Sequence, residues 1–417
     1  MSRTIFILLG GFGILLGGVG LLGTLVGVRA ATAEFGNLQI GLVMAGYYAG
    51  YIIGTLFVPR LIRNVGHVRC FAAFAAVAAA ASLGFGLLVE PVTWFILRVL
   101  SGISIVGIYM VVESWLNEQS AGPRRGSIFS LYMMSTLVAL GAGQFLLLVG
   151  DTSELTLFAV AAILISLGVV PIAITRVTEP RIELVVPVQL LELARISPLG
   201  MAGALSSGIL HGAFWGMTPV FGHRLDFSDG DIALLMSSTV LGGVLLQWPI
   251  GHLSDRIDRR SILILTAFAT AVASGVISYI TVQGHPGLVT IGFIYGGLMF
   301  TLYSISVAHT NDHLAAGQIL EATRGLLLVF GLGALCGPIL GGFAMGIVGP
   351  AGLPAMSAIT AIGLALFGVY RMTRRAAPSV EDQAEFVPMV RTSPVALEMY
   401  SEVEQAKELH ESNQTPK

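Results

Sequence analysis

Gly251-His252-Leu253-Ser254-Asp255-Arg256-Ile257-Asp258-Arg259-Arg260 packs five charges into ten residues. An apolar run of about twenty residues flanks it on each side, long enough to cross a bilayer, so the stretch reads as a tight turn between two membrane-spanning helices. The rest of the composition agrees. Of 417 residues, 55% are hydrophobic and only 11% charged, with a mean hydropathy of +0.84, which excludes an ordinary soluble domain of this length. The 52 glycines suit helices that approach closely inside a membrane. The two cysteines, Cys70 and Cys336, both fall in apolar runs, so neither a disulfide framework nor a metal cluster is expected.

Working outward, apolar runs able to cross about 30 Å of hydrocarbon lie near residues 5–28, 38–58, 70–89, 93–114, 127–149 and 155–174. Six more lie near 199–221, 231–251, 261–281, 287–309, 323–347 and 351–371. The first run exceeds a signal-peptide core and lacks a cleavage site, so it reads as a retained span. The expected fold is all-α and integral to the membrane: twelve transmembrane helices in two pseudo-symmetric six-helix bundles. Residues 1–174 form the first bundle, 175–197 a cytoplasmic linker, 198–375 the second bundle and 376–417 an acidic tail. With the N-terminus inside, the inner connections hold 16 arginines, among them Arg60, Arg63, Arg69, Arg256, Arg259 and Arg260, against Arg29 and Arg224 outside. That bias puts both termini in the cytoplasm. The tail carries eight acids against three bases and few large apolar residues, the composition of a disordered segment, with a weak amphipathic pattern from Val395 to Leu409.

The chain also repeats. Phe35-Gly-Asn-Leu-Gln-Ile40-Gly-Leu-Val-Met44 aligns with Phe227-Ser-Asp-Gly-Asp-Ile232-Ala-Leu-Leu-Met236 at an offset of 192 residues, which lays Pro59 on Gly251 and Gly66 on Asp258. Two parallel repeats of six helices suit a rocking transporter whose binding site lies at midplane between them.

These residues resemble the major facilitator superfamily. Gly251-x-Leu-Ser-Asp255-Arg256-x-Asp258-Arg259-Arg260 is similar to its loop signature G-x-L-x-D-R-x-G-R-R, departing at Asp258, where the pattern has glycine. Arg98-x-x-Ser-Gly102 resembles its fourth-span signature, and Gly333-x-x-x-Gly337-Pro338-x-x-Gly341-Gly342 its glycine-proline signature. Val112-Glu113-Ser114 with Gln247-Trp248-Pro249-Ile250-Gly251 looks most similar to the YcaD-like branch. The resemblance implies that spans 1, 4, 7 and 10 line a cavity and that the loop signature latches onto span 5, here beginning near Arg125, Gly126 and Ser127. It says little about substrate.

Arg98 and Glu113 are the base and acid placed within a span, both on span 4 and fifteen residues apart, about 22 Å along a helix, too far to pair. Buried ionisable groups in a membrane are functional candidates because a partner or water must offset their cost. For Arg98 the choice is between a cavity-facing cation and a structural arginine bonded to helix carbonyls. Glu113 reads as a gate residue paired with Arg63 or Arg69 ahead of a proton site. His211 offers proton or substrate contact, though a lone histidine on an apolar helix is more often a packed, satisfied group. Gln144 and Gln247 have no reason to face lipid. Tyr47, Tyr48, Tyr51, Trp215, Tyr295 and Tyr303 offer stacking or hydroxyl contacts, with bundle packing the commoner role.

At the inner face, the expected gate comprises Gly251, Asp255, Arg256, Arg259, Arg63, Glu113, Arg125, Asp312 and Glu321. Asp255 can accept from free amides at a helix start. In the first-half copy Arg63 stands where the signature has the aspartate, and an arginine cannot cap a helix N-terminus. It needs an acid, with Glu321 the expected partner and Glu118 the second.

The expected function is a secondary transporter of a small solute in the cytoplasmic membrane, working as a monomer without cofactors. Proton-coupled export of a drug or metabolite is the first reading and uptake of an anionic or neutral metabolite the close alternative. The first span lacks an acid, and Gly141-Ala-Gly143-Gln144 replaces the Gly-Pro of the antiporter form. A transporter-like receptor without flux is the rival from another class. No P-loop, metal spacing, nucleophile elbow or nucleic-acid motif appears, so an ATP-driven pump, an enzyme and a nucleic-acid partner are disfavoured.

Overall fold

A bilayer core offers the backbone no hydrogen-bond partners, so an apolar run that enters it must satisfy its own amides as a helix. In the computed structural model every long apolar run does so. The structure describes residues 3–119, 125–175, 190–283, 287–314 and 318–374, together with Gln383 and Phe386. The helices are α1 (Arg3–Thr32), α2 (Asn37–Val65), α3 (His67–Leu87), α4 (Pro91–Gln119), α5 (Arg125–Gln144), α6 (Leu155–Ala173), α7 (Leu190–Ile196), α8 (Pro198–Arg224), α9 (Asp229–Ser254), α10 (Arg259–Val282), α11 (Leu288–Asn311), α12 (Ile319–Val348) and α13 (Gly352–Met372). A 3₁₀ turn, Phe145–Val149, extends α5. No strand occurs among the described residues.

Eleven of these helices are long and apolar enough to cross a membrane, and the α7–α8 pair, bent by 114°, brings the number to twelve. The short α7 is the described part of the expected 175–197 link. Several helices outrun the apolar stretches that announce them. A helix ends where a cap or a breaker stands, not where hydropathy falls: α2 runs to Val65 because the next residue, Gly66, takes φ 96° and reverses the chain in one step. α4 starts at Pro91 behind Glu90, whose carboxylate accepts from the Thr93 and Val92 amides at 2.7 and 3.0 Å. Those bonds hold the Glu90 carboxyl below its ordinary range.

The second-half copy of that α2–α3 turn is built differently. Asp258 replaces the glycine and caps α10, its side chain accepting from the Arg260 amide at 3.1 Å while pairing with the Arg260 guanidinium at 3.1 Å. One repeat makes the corner with positive φ and the other with a side-chain cap, which accounts for the departure from the loop signature.

The internal repeat reappears in the packing. A Cβ at Gly50 of α2 would strike the Val99 carbonyl of α4, and one at Gly102 would strike the Tyr47 carbonyl. Gly242 of α9, 192 residues after Gly50, stands in the same way against the Phe293 carbonyl of α11, and Gly296 against that of Thr239. Small residues let these backbones meet, and the first pair brings Tyr47 and Arg98 together. Gly333 and Gly337, from the glycine-proline stretch, set α12 against the Leu205 and Ile209 carbonyls of α8. Replacing Gly102 by valine is expected to force α2 from α4 and cost about 1–3 kcal/mol. A thermal melt of the purified protein checks this, with Gly13→Val, where a Cβ meets nothing within 4 Å, as the neutral control.

Contacts between the first six helices and the last six gather toward one end. Asn37 and Gly41 of α2 abut Gly342 and Pro338 of α12, Arg224 donates to the Phe35 carbonyl at 3.2 Å, and Ser237 donates to the Gly141 carbonyl at 3.0 Å. This is the arginine-poor end, carrying Arg29 and Arg224. Contact continues as far as Ile52 against Gly331, near the middle of both helices. The α2–α3 and α9–α10 turns mark the opposite, arginine-rich end.

Candidate functional site

A cavity of about 510 Å³ opens in the arginine-poor half of the spans, lined by Val19, Gly20 and Gly23 of α1, Met44, Tyr47 and Tyr48 of α2, Arg98 of α4, Leu140 of α5, and Trp215 and Gly216 of α8. The spacing that closes α2 on α4 also aims Arg98. Its guanidinium is 6% exposed. It lies 2.7 Å from Met44 Sδ and 3.4 Å from the Gly23 carbonyl, with Cζ 6.0 Å from the Tyr47 ring centre and 5.9 Å from that of Phe85. A thioether, a long carbonyl bond and two ring faces orient the cation. A guanidinium held in this way presents a planar fork of donors of the kind that suits an anionic group.

Of the candidate contact residues, Arg98, Tyr47, Tyr48 and Trp215 share this cavity, and Tyr51, Gln144, Gln247, His211, Tyr295 and Tyr303 do not line it. Tyr51 packs its ring 6.3 Å from that of Tyr47 without lining it. Gln144 is wholly buried and ties α5 to α1: Thr24 donates to its carbonyl oxygen, and its amide donates to the Gly20 and Leu140 carbonyls at 3.2 and 3.0 Å. Gln247 likewise ties α9 to α11 by donating to Ser304 at 2.7 Å. Both amides avoid lipid as expected, but as interhelical bonds instead of cavity contacts. His211 holds Nδ1 2.8 Å from the Ser207 carbonyl. A carbonyl only accepts, so Nδ1 carries the proton and Nε2 is the acceptor. The ring meets Phe300 and Phe330 edge-on at 4.7 and 5.2 Å. The Ser207 carbonyl and these two rings pack it among α8, α11 and α12. Tyr303 sets its ring, tilted, 4.8 Å from the same Phe330, its buried hydroxyl without a partner among the described residues.

Glu113 lies deeper in the first half than a gate residue would. It is 0% exposed and accepts a 2.6 Å hydrogen bond from Tyr132 of α5. Phe12 of α1 covers the site, 5.3 Å from the Tyr109 ring and 5.8 Å from that of Tyr132. Arg63 and Arg69, its expected partners, are exposed.

At the arginine-rich end Arg259 is 1% exposed and bridges two acids, Asp255 at 2.8 Å and Asp312 at 2.5 Å. Asp255 also accepts from the Phe386 backbone amide at 2.9 Å, and the Phe386 ring covers Gly251 so closely that a Cβ there would strike it. Phe386 is 8% exposed, so at this residue the tail is seated, contrary to the disorder its composition implies; its other residues, Gln383 apart, lie outside the described set. Arg256 is exposed. The Arg125, Gly126 and Ser127 side chains, on which the span 5 latch rests, lie outside the described residues.

The expected Arg63–Glu321 pair does not form. Both residues are exposed and neither makes an ion pair among the described residues, nor does Arg63 with Glu118. An arginine in a helix's last turn is solvated by water, and ordering two long side chains there gains little.

Twelve spans by this count, paired repeats and a cavity walled from both halves define a multi-pass membrane transporter. The Major Facilitator Superfamily model matches residues 7–320 and 200–403, and the chain belongs to that superfamily. It is 30% identical over 339 residues to the uncharacterized MFS-type transporter YcaD of Escherichia fergusonii, covering 81% of this chain and 87% of that protein. Its fold is similar to that of the nucleoside transporter NupG, with a TM-score of 0.74 and 17% identity, covering 90% of this chain and 100% of NupG. It is also similar to a bacterial homologue of the human lysosomal transporter Spinster in an inward-facing, unoccupied conformation, with a TM-score of 0.66 and 13% identity over 97% and 98% of the two chains.

The sequence pointed to Arg98 but not to Met44, Gly216 or Leu140 as its companions in the cavity. Met and Gly on apolar helices carry no polarity signal; the close α2–α4 approach sets Met44 beside Arg98, while Leu140 and Gly216 come from α5 and α8.

Proposed function

We propose that this chain is a secondary transporter that binds a small anionic solute at Arg98 and moves it by alternating access between its two six-helix halves, 1–174 and 198–375. The observation that carries this reading is the buried guanidinium in a cavity shared by α1, α2, α4, α5 and α8. An anion entering there exchanges hydration for a fixed cation flanked by Tyr47 and Trp215, a site suited to a solute with an apolar or aromatic body. The arginine bias assigns the arginine-rich end to the cytoplasm. Contacts between the halves at the opposite end, with Arg63 and Glu321 exposed and unpaired at this one, support an inward-facing state.

Proteoliposomes tested with anionic, neutral and cationic metabolites, with and without a proton gradient, are expected to take up anions in preference. Uptake confined to neutral or cationic solutes, or unaltered by substitution of Arg98, overturns the anion reading.

A second reading, proton coupling in either direction, draws on Glu113, a wholly buried carboxyl on the same helix as Arg98 that accepts a hydrogen bond from Tyr132 of α5. Glu113→Gln keeps the bond from Tyr132 and removes the titration. It is expected to abolish proton-driven accumulation while leaving solute counterflow within about twofold of wild type, since binding contacts are unchanged. Accumulation that survives the substitution assigns the proton elsewhere.

A further inference from the structure

We propose that the second half holds a separate binding site for a small uncharged molecule, in a cavity among α8, α9, α10, α11 and α13 near the arginine-poor end. The cavity measures about 470 Å³ and is lined by Phe, Leu, Ile, Pro, Gly, Ser, Thr and Tyr side chains. Leu288 is the first residue of α11 and Leu353 the second of α13, so the chamber begins at that end, and Thr239 and Phe214 carry it about three turns inward.

Its polar groups are hydroxyls. Along α10, Thr270 donates to the Thr266 carbonyl and Thr281 to that of Ile277, each at 2.7 Å, the usual way a helical hydroxyl is satisfied inside an apolar bundle. Ser274, between them on the same helix, does not. It is 0% exposed, lines the cavity, and its Oγ has no hydrogen-bond partner among the described residues. Across the chamber Tyr295 sets its hydroxyl beside Ser357, and Thr218 supplies another hydroxyl to the lining. Phe214 and Phe221 of α8 form an aromatic wall.

This chemistry selects the ligand. No lining residue is charged, so an ion entering would lose its hydration without a counter-charge. A flat ring with one hydroxyl or carbonyl group fits: the ring lies against Phe214 and Phe221 and the polar atom bonds Ser274. All lining residues belong to the second half, so occupancy does not need the two halves to close on each other. The site is independent of Arg98, and its failure and the failure of the anion reading are separately visible.

The test uses the purified full-length protein with 2-naphthol, a neutral aromatic alcohol, and 2-naphthoate, its anionic counterpart of similar size. Thermal stability is expected to rise with 2-naphthol and to saturate, as for any ligand that binds only the folded state. 2-Naphthoate should give no such saturable rise at this site. Ser274→Ala should weaken 2-naphthol by about three- to tenfold, and Thr218→Phe, which fills the chamber, should abolish the effect. Arg98→Gln should leave it unchanged. No saturable rise, an equal response to 2-naphthoate that survives Arg98→Gln, or an unchanged midpoint in Ser274→Ala overturns the proposal. The Ser274→Ala measurement keeps the test decisive should Thr218→Phe fail to fold.

Discussion

Arg98→Gln is expected to raise the KM for an anionic solute by at least about tenfold, and up to about a hundredfold, while the protein still folds. The range follows from a charge-assisted hydrogen bond, about 1.5–3 kcal/mol, at about 1.4 kcal/mol per factor of ten. Glutamine retains a donor for the Gly23 carbonyl, so a structural role, bonding one helix to another, is largely preserved. Arg98→Lys keeps the charge but loses the planar group that faces Tyr47 and Phe85, and it should fall between the two. Flux against solute concentration, measured beside a thermal melt for each variant, separates the roles. A cation that binds solute moves KM in the order Arg, Lys, Gln with little change in melting. A cation that only braces α4 against α1 lowers the melting temperature and leaves KM where it was.

The large features were legible because they are written in quantities that a chain carries locally. Twelve apolar runs must become helices whatever their neighbours do, and the 192-residue offset that aligned Ile40 with Ile232 returned as Gly50 and Gly242 packed in the same way against different helices. Side-chain partners were not legible, because they depend on which helix lies alongside. Glu113 was assigned arginines at the membrane edge, yet its hydrogen bond comes from Tyr132 on the next helix. Gln144 has no reason to face lipid, but its partners on α1, the Gly20 carbonyl that accepts and the Thr24 hydroxyl that donates, follow only once Gly143 lets α5 approach Gly17. Arg63 invited a partner by analogy with its aspartate counterpart. In this arrangement Arg63 and the acid expected for it are both exposed. Phe386 gave no signal, since a single aromatic in an acidic tail looks like any other residue of a disordered segment until Gly251 provides a bare surface for its ring.

The largest loss of stability is expected from Asp312→Ala. Arg259 and the Asp312 side chain are each 1% exposed and 2.5 Å apart, so removing the acid takes a short ion pair from a buried guanidinium whose bond to Asp255 is to a side chain 24% exposed. Breaking a buried pair from one side costs about 3–5 kcal/mol, whereas replacing both members with apolar groups is often close to neutral. Arg259→Met in the Asp312→Ala background should therefore recover most of the melting temperature that Asp312→Ala loses; no recovery would mean that the pair is not the source of the loss. Asp255→Asn should behave differently. Its amide oxygen can still accept from Phe386, and water reaches the side chain, so stability should change little. The consequence for the gate lies in that contrast. Arg259 and Asp312 brace the α9–α10 turn against the end of α11 within one half, a bond that can persist through any rigid rocking of the halves. Asp255 holds a chain segment beyond the last span through one backbone amide, a bond that can be exchanged for the free amides of another helix start. Asp312→Ala should therefore read out as lost folding, and Asp255→Asn as an altered transport rate in a protein that melts almost as wild type does.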